Sequence, residues 1–524
     1  MKHFSKFIIL FSLITLITTC CKSQPKNEQS DIVAFDFKLE QIEIDNVAPV
    51  HFPLIKIVST ENNGSMDFVL EPVTKHVKDS QQSWGDFSNA DAPDPWYEKC
   101  DILDEDGTLI GTAQVKVRGN WTTTYAKKSL RIKFDSKQKM LGLNNNGKFK
   151  NWVLLAGFKD ASLLRDAVGF EMYRKMFNGY ASDCRLVEVE VNGQNLGVYL
   201  LAEQQEAKRL GLTEPEKNDT RTDIGYLIEF DNYYYTEAEN ETFKINYGGP
   251  IKDYNESRVY EPQNGYTIKS DITDKAQHDF ISDYMNKLWK ICYQAVYNKK
   301  YFEFDSDYEL KEYTPAGSND NTKCYECVSR VLDVDSLADM YIFNELVCDP
   351  DLYLTSFFMS IDFSLENRRK LTFSAPWDFD STMGNKNFCA EPVSYKNITG
   401  IGDMYAGLCQ TDVNCEHPKI HANPWMVIFI RQAWFQKLVK EHWAAIDTGE
   451  VLEYLLSYID DHSAAGYQHA YNYTRTLWGT PSDNVELCQQ SSQAAATSQY
   501  ASASYLKQWL CARFAAVDKI IDKL

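Results

Sequence analysis

Residues Ser374–Asn385 read SAPWDFDSTMGN. Two carboxylates, Asp378 and Asp380, stand two residues apart between the aromatic rings of Trp377 and Phe379, and a small-residue turn ends at Gly384. On an extended chain the two acids point the same way, because side chains alternate along a strand. Acids that converge beside bulky aromatics are costly unless positive charge stands between them. A divalent cation such as Mg2+ supplies that charge and prefers carboxylate and phosphate oxygens. The plainer alternative is a turn after a strand, with Asp380 as its cap and Trp377 in the core.

The flanking sequence favours a site. Phe357–Ile361 and Lys370–Ser374 read as strands joined by the polar run FSLENRR, a hairpin. Before them Leu337–Val347 has apolar residues at helical spacing, with Asp335 or Ser336 as its cap, and must stop near Pro350. Asp349, Asp351 and Ser356 therefore fall in a loop between helix and hairpin. Loop acid, hairpin, second acid is the order protein kinases use, one Asp orienting the hydroxyl nucleophile and the later one holding Mg2+.

With 524 residues, 44 % of them hydrophobic, the chain can bury one large core or two packed lobes. Its formal net charge of −20 argues against a general nucleic-acid binder and makes any phosphate site a local positive island. Lys2 and Lys6 precede the apolar run Phe7–Ile17, a secretory leader too short to span a bilayer. Ile17-Thr18-Thr19-Cys20 resembles a bacterial lipobox, which would place a lipid on Cys20 and tether an exported protein through Lys22–Asp31 to a membrane. No later stretch is long and apolar enough to cross one. Eleven cysteines follow Cys21, so pairing in an exported body leaves at least one over. Cys324-Tyr325-Glu326-Cys327 is a lone CxxC, read as a local disulfide or unpaired loop thiols rather than zinc; Cys389, Cys409 and Cys415 offer a further bridge.

Along the chain, Phe35–Ile44 alternates, and His51–Ile57 reads as an edge strand opened by Pro53. Cys100–Asp104, Leu109–Val117 and Lys128–Phe134 read as successive strands. Between the last two, Arg118–Lys128 (RGNWTTTYAKK) is rich in hydroxyls and backbone donors, a composition that suits a polyanion such as a triphosphate. Lys128 shares a strand face with Leu130, Ile132 and Phe134, opposite Lys127, Ser129, Arg131 and Lys133. Lys128 on an inward face is the first choice for a phosphate-contacting lysine, with Lys127, Arg131 and Lys133 in reserve. Asn151–Leu155 reads as a buried element. Asp160–Met176 reads as an amphipathic helix capped by Asp160 or Ser162, with Glu171 among its apolar positions, to be paired with a strand lysine or with Lys175. Leu186–Val191 and Gly197–Leu201 form a hairpin, and Glu203 follows where the chain leaves the sheet. Tyr226–Asp231 and Gly265–Ser270 are strands, Ala276–Ala295 a helix and Lys299–Asn321 a loop. Ala390–Asn423 is a candidate lid or substrate-binding loop. Trp425–Glu441, Thr448–Ala465 and Ala501–Leu524 are helices, with Thr480–Gln499 a polar break.

In this order VRGNWTTTYAKKSLRIKF, NWVLLAGFKDASLLRDAVGFEMYRK, VEVEVNGQNLGVYLLAEQ, YLIEFD, the Asp349–Phe358 loop, APWDFDSTMGN and YLKQWLCARFAAVDKII resemble the spore coat protein H (CotH) kinase family, from about Pro53 onward. The resemblance implies an α+β, atypical protein-kinase-like, two-lobed fold with a mainly helical C-terminal part. After the leader (1–20) and the tether and lead-in (21–50), the chain divides into a β-rich lobe (51–205), catalytic lobe (206–423) and helical region (424–524). It implies transfer of phosphate from ATP, with Mg2+ or Mn2+, to Ser/Thr hydroxyls of an exported protein acceptor. Asp351 would be the loop acid and Asp378 the principal metal ligand, helped by Asp380 and Ser356. Lys128 would contact phosphate, Glu171 would orient it, and Arg118, Arg131 and Glu203 would complete the nucleotide site. Family members often carry Asn where Ser356 stands. A kinase-like binding or assembly protein without turnover is the alternative. A carboxylate-pair hydrolase ranks last, and the HExxH of metalloproteases is missing.

Overall fold

The computed structural model describes residue 35 and residues 37–524, apart from 63, 84, 86, 257, 258, 261, 387–399, 412–419 and 482–486. The leader, Cys20, most of the tether, Cys389, Cys415 and much of the candidate lid thus lie outside the described residues. The fold is mixed helix and strand.

Seven strands, β1 (Leu54–Ser59), β2 (Glu98–Leu103), β3 (Leu109–Arg118), β4 (Ser129–Gln138), β5 (Phe149–Leu155), β6 (Cys184–Val191) and β7 (Gln194–Glu203), close into a barrel in the order β1-β2-β3-β4-β5-β7-β6. The expected edge strand after Pro53 is no edge. β1 pairs antiparallel with β2 (Ile57 opposite Ile102) and parallel with β6 (Ile57 opposite Val191), and closure leaves no free edge. Alternation fills the inside: Ile57, Ile102, Val115, Ile132, Trp152, Val189 and Leu201 are buried in one cluster.

The outer faces diverge. Val153, Leu200 and Ala202 join the main core together with the helix Arg165–Met176. Ser129 and Arg131 on β4 instead face an open cleft. The helix begins five residues later than expected, because Asp160 accepts the N–H groups of Leu164 (3.0 Å) and Arg165 (2.8 Å) from the preceding turn.

A second sheet, all antiparallel, runs in the order Thr372–Phe373, Phe357–Asp362, β8 (Gly225–Asp231), Gly265–Ile268, Thr242–Phe243. The predicted hairpin is present, with Met359 opposite Phe373. The helix Val334–Val347 before it is capped by Asp333, whose Oδ1 accepts the Ser336 N–H at 3.2 Å, rather than by Asp335 or Ser336. The predicted helix at Trp425 is two, Pro424–Ile428 and Ala433–Ala445. Among the described residues of Phe35–Ile44 there is no strand; the Phe35 and Phe37 rings pack edge-on against Tyr505 of the long helix Gln499–Lys523. The polar break contains the helix Gln489–Thr497, and the Lys299–Asn321 loop holds a short hairpin. Cys324 and Cys327 are buried, unbridged thiols on the helix Asp320–Val328, so neither the local disulfide nor the loop placement holds. Among the described residues no helix is long and apolar enough to cross a membrane.

Candidate active site

The outer face of β3–β5 and the second sheet enclose a cleft of about 1040 Å3. Arg118, Arg131, Asp351, Ser356, Asp378 and Asp380, six of the nine residues expected at the site, line it. Lys128, Glu171 and Glu203 do not.

The acids are presented by strained backbone. The second strand of the hairpin ends at Phe373, and Asp378 is not extended as expected. It takes φ 70°, as Ala375 takes φ 59°, a left-handed conformation that costs non-glycine residues about 1 kcal/mol or more. Surrounding contacts impose it. The Phe379 N–H donates to Asp166 Oδ1 (2.7 Å), the Ala375 N–H to the Tyr180 carbonyl (3.0 Å), and Gln205 Nε2 to the Ala375 carbonyl (2.7 Å). Downstream, Arg165 Nε donates to the Thr382 carbonyl at 3.1 Å and Tyr505 Oη to the Gly384 carbonyl at 2.8 Å. The Phe379 ring sits edge-on to Phe170 and Phe343 and lies over Gly169, where a Cβ would come within 2.3 Å of it.

Charge is concentrated here. Burial first, then the neighbouring Asp380 and Asp351, push the Asp378 carboxyl up to about 7; Lys159 and Arg118 oppose this. Burial, then Asp380 and Asp378, also raise Asp166 well above the carboxylate range. Lys159 Nζ lies 3.5 Å from Asp380 Oδ1. Its burial disfavours the ammonium, but Asp380, Asp351 and Asp378 outweigh burial and hold it charged. Arg118 lies over the Trp377 ring at 5.6 Å.

The loop acids separate by role. Asp349 Oδ1 accepts the Asp351 N–H at 2.9 Å, an Asx turn, which leaves Asp351 on the cleft wall. Ser356, at φ 61°, donates its N–H to Glu229 Oε1 (2.9 Å), and Glu229 Oε2 pairs with Lys269 at 2.8 Å.

Three expectations are corrected. Lys128 does follow the parity of Leu130 and Ile132, but that face is the filled barrel interior. Its Nζ donates to the carbonyls of Thr123 and Tyr125 (3.1 Å to the latter) at the barrel's end, and burial brings its pKa down to about 8. Its neighbour Lys127 is spent in the same way on the Ala156 (2.7 Å) and Val198 carbonyls. Glu171 pairs with Arg174 and accepts from Tyr454 Oη (2.7 Å), not from a strand lysine or Lys175. Glu203 is buried on Arg209, the Asp183 N–H (3.0 Å) and Tyr180 Oη (3.2 Å).

Lys159, Asp166 and Glu229 were missed. Asp166 looks like an ordinary first-turn helix acid, and Glu229 like the polar member of a strand. Lys159 carries no local signal, because its partner lies more than two hundred residues away. Among the described residues, no group of three or more His, Cys, Asp or Glu is arranged to hold a metal ion.

A family model described as "CotH kinase protein" matches residues 115–517, most of the chain. A search of curated proteins returned no significant match.

Proposed function

The chain belongs to the CotH kinase family, and on that premise we propose that it transfers the terminal phosphoryl group of ATP to a hydroxyl of a protein acceptor. The observation that carries this reading is the convergence of Asp351, Asp378 and Asp380 with Arg118 and Lys159 in one cleft. The barrel with its helix and the helix-flanked second sheet are read as the two lobes of a kinase-like fold, with nucleotide between them.

Asp351, on the cleft wall, would orient the acceptor hydroxyl and take its proton. The hydroxyl oxygen then bonds to the γ-phosphorus, the bond from that phosphorus to the bridging oxygen breaks, and ADP leaves. Arg118 and Lys159 stand in for the expected Lys128 as the cations that neutralise phosphate charge. Arg131, further along β4, is left for the nucleotide's remaining contacts.

The donor set suits a hard divalent cation. Asp378 and Asp380 offer only oxygens, and a cation would relieve both the burial and the neighbouring acids that push the Asp378 carboxyl up. Mg2+ takes one or two carboxylates and fills its other positions with water and phosphate, so a cage of three acids is not required. Asp378 and Asp380 would hold it, with Ser356 beside them, and when bound it supplies neutralisation of the phosphate oxygens.

The Ile17–Cys20 motif supports an acceptor that is itself exported, met by an enzyme tethered at a membrane surface. A second reading, an acceptor-binding protein without turnover, draws on Ser356, whose hydroxyl is a poorer metal ligand than a carboxamide.

Calorimetric titration of the chain from about residue 31 onward, free of leader and tether, with ATP and Mg2+, beside Asp378→Ala, tests the proposal. Metal-dependent binding by the parent that the variant loses supports the nucleotide site. No binding at millimolar ATP sinks the transfer mechanism and leaves the binding-protein reading.

A further inference from the structure

Beyond Arg131 the cleft wall changes character. Lys133 and Lys137 on β4, Lys150 on β5 and Lys208 just past β7 line this end, and all four are exposed. Ser129, at the start of β4, pairs with Arg118, which lies over Trp377. Lys133 is four residues further along the strand, about 13 Å, and Lys137 eight residues, up to about 26 Å. A triphosphate held by Arg118 and Lys159 does not reach that far.

These ammonium groups are poorly neutralised. Among the described residues only Lys208 has an acidic partner within ion-pair distance, Glu214 at 3.3 Å. Glu206, also at this end, is turned to Asn151 and Arg209. Lys137 and Lys208 lie close enough to perturb each other: their contact lowers the Lys137 pKa and raises that of Lys208, where Glu214 adds to it. Like charges held together repel, yet the chain's net charge is −20. A positive ridge on an acidic protein steers and orients an anionic partner.

We propose that this ridge docks an acidic segment of the acceptor polypeptide, whose carboxylates lie about four to eight residues from the target hydroxyl, the spacing an extended chain needs to span the strand. The identification of the partner as the acceptor rests on the kinase reading; the docking surface itself does not.

The test uses labelled serine peptides without ATP. One carries Glu four to eight residues from the serine, and its control carries Gln at the same positions. Fluorescence anisotropy is expected to show the Glu peptide binding about tenfold tighter at low ionic strength, with the advantage fading as salt screens it. The variant Lys137→Glu/Lys150→Glu should lose the preference and keep the parent's ATP affinity and melting temperature. Equal binding of the two peptides overturns the proposal. So does loss of ATP affinity in the variant, which would assign the ridge to nucleotide, or binding to anionic vesicles in place of the peptide. Selective peptide binding that is followed by no phosphate transfer once ATP and Mg2+ are added upholds the surface and counts against the kinase reading instead.

Discussion

Asp378 combines two unfavourable features, a left-handed backbone and a crowded carboxylate. Its pKa in the folded chain, about 7, lies above the ordinary 3.8. The folded state therefore binds this proton more readily than the unfolded chain does. The sign follows: the stability that comes with protonated Asp378 is present at low pH and is lost as pH rises from about 4 to about 7. Asn tolerates the left-handed region and carries no charge. Asp378→Asn is thus expected to be more stable than the parent above pH 7 in the presence of a chelator, by about 2 kcal/mol, less than the full shift because the side chain is part-exposed. The difference should shrink towards pH 4. Urea denaturation at the two pH values reads it directly, and a parent equal to or more stable than Asp378→Asn at pH 8 would contradict the argument. The same substitution should lose Mg2+–ATP binding, so the residue is stability given up for a site.

At the scale of elements, the helix Arg165–Met176 holds the acidic segment in place. Asp166 takes the Phe379 N–H, Arg165 reaches the Thr382 carbonyl, and Gly169 leaves room for the Phe379 ring. Glycine within a helix ordinarily loses about 1 kcal/mol to alanine. Here a Cβ would strike the ring at 2.3 Å, and overpacking a filled core costs about 1–3 kcal/mol. Gly169→Ala is therefore expected to lower stability despite its better helix propensity, and to weaken nucleotide binding by moving Asp378. A stability gain in chemical denaturation would show that the ring has room to shift. The strands β3 and β4 act differently: one face fills the barrel, and the other supplies Arg118, Ser129, Arg131 and Lys133 to the cleft. The element that builds the core also builds the site, on opposite parities.

Across the whole molecule, the C-terminal helix Gln499–Lys523 closes the structure. Arg513, fully buried, donates to Glu345 Oε1 at 2.7 Å and to the carbonyls of Ile401 (2.6 Å), Asp403 (2.9 Å) and Glu345. Glu345 also accepts the Tyr405 and Ala406 N–H groups, at 2.7 and 2.9 Å. Burial disfavours the Glu345 carboxylate, and Arg513 offsets this. Removing one partner strands the other charge in the core. Glu345→Ala is expected to cost about 3–5 kcal/mol, seen as a lower guanidinium midpoint, whereas a loss under 1 kcal/mol would mean that water reaches Arg513. Because Tyr505 on the same helix holds the Gly384 carbonyl, the helix that locks the fold also braces the turn after Asp380.

The sequence by itself determined the local periods and the acids. Alternation marked β2, β3, β4 and the β6–β7 hairpin, and WDFD with its hairpin and loop acid placed Asp351, Asp378 and Asp380 in one neighbourhood. Both rest on short-range rules, side-chain period and turn chemistry, that a few residues suffice to express. Tertiary structure decided what each face meets. Parity put Lys128 with Leu130, but only barrel closure, through the pairing of β1 with β6 across more than a hundred residues, made that face a filled interior. Lys159 finds Asp380, Asp166 finds Phe379 and Glu229 finds Ser356 across similar separations. The partner of a buried charge is set by which elements pack together, and no local spacing encodes it.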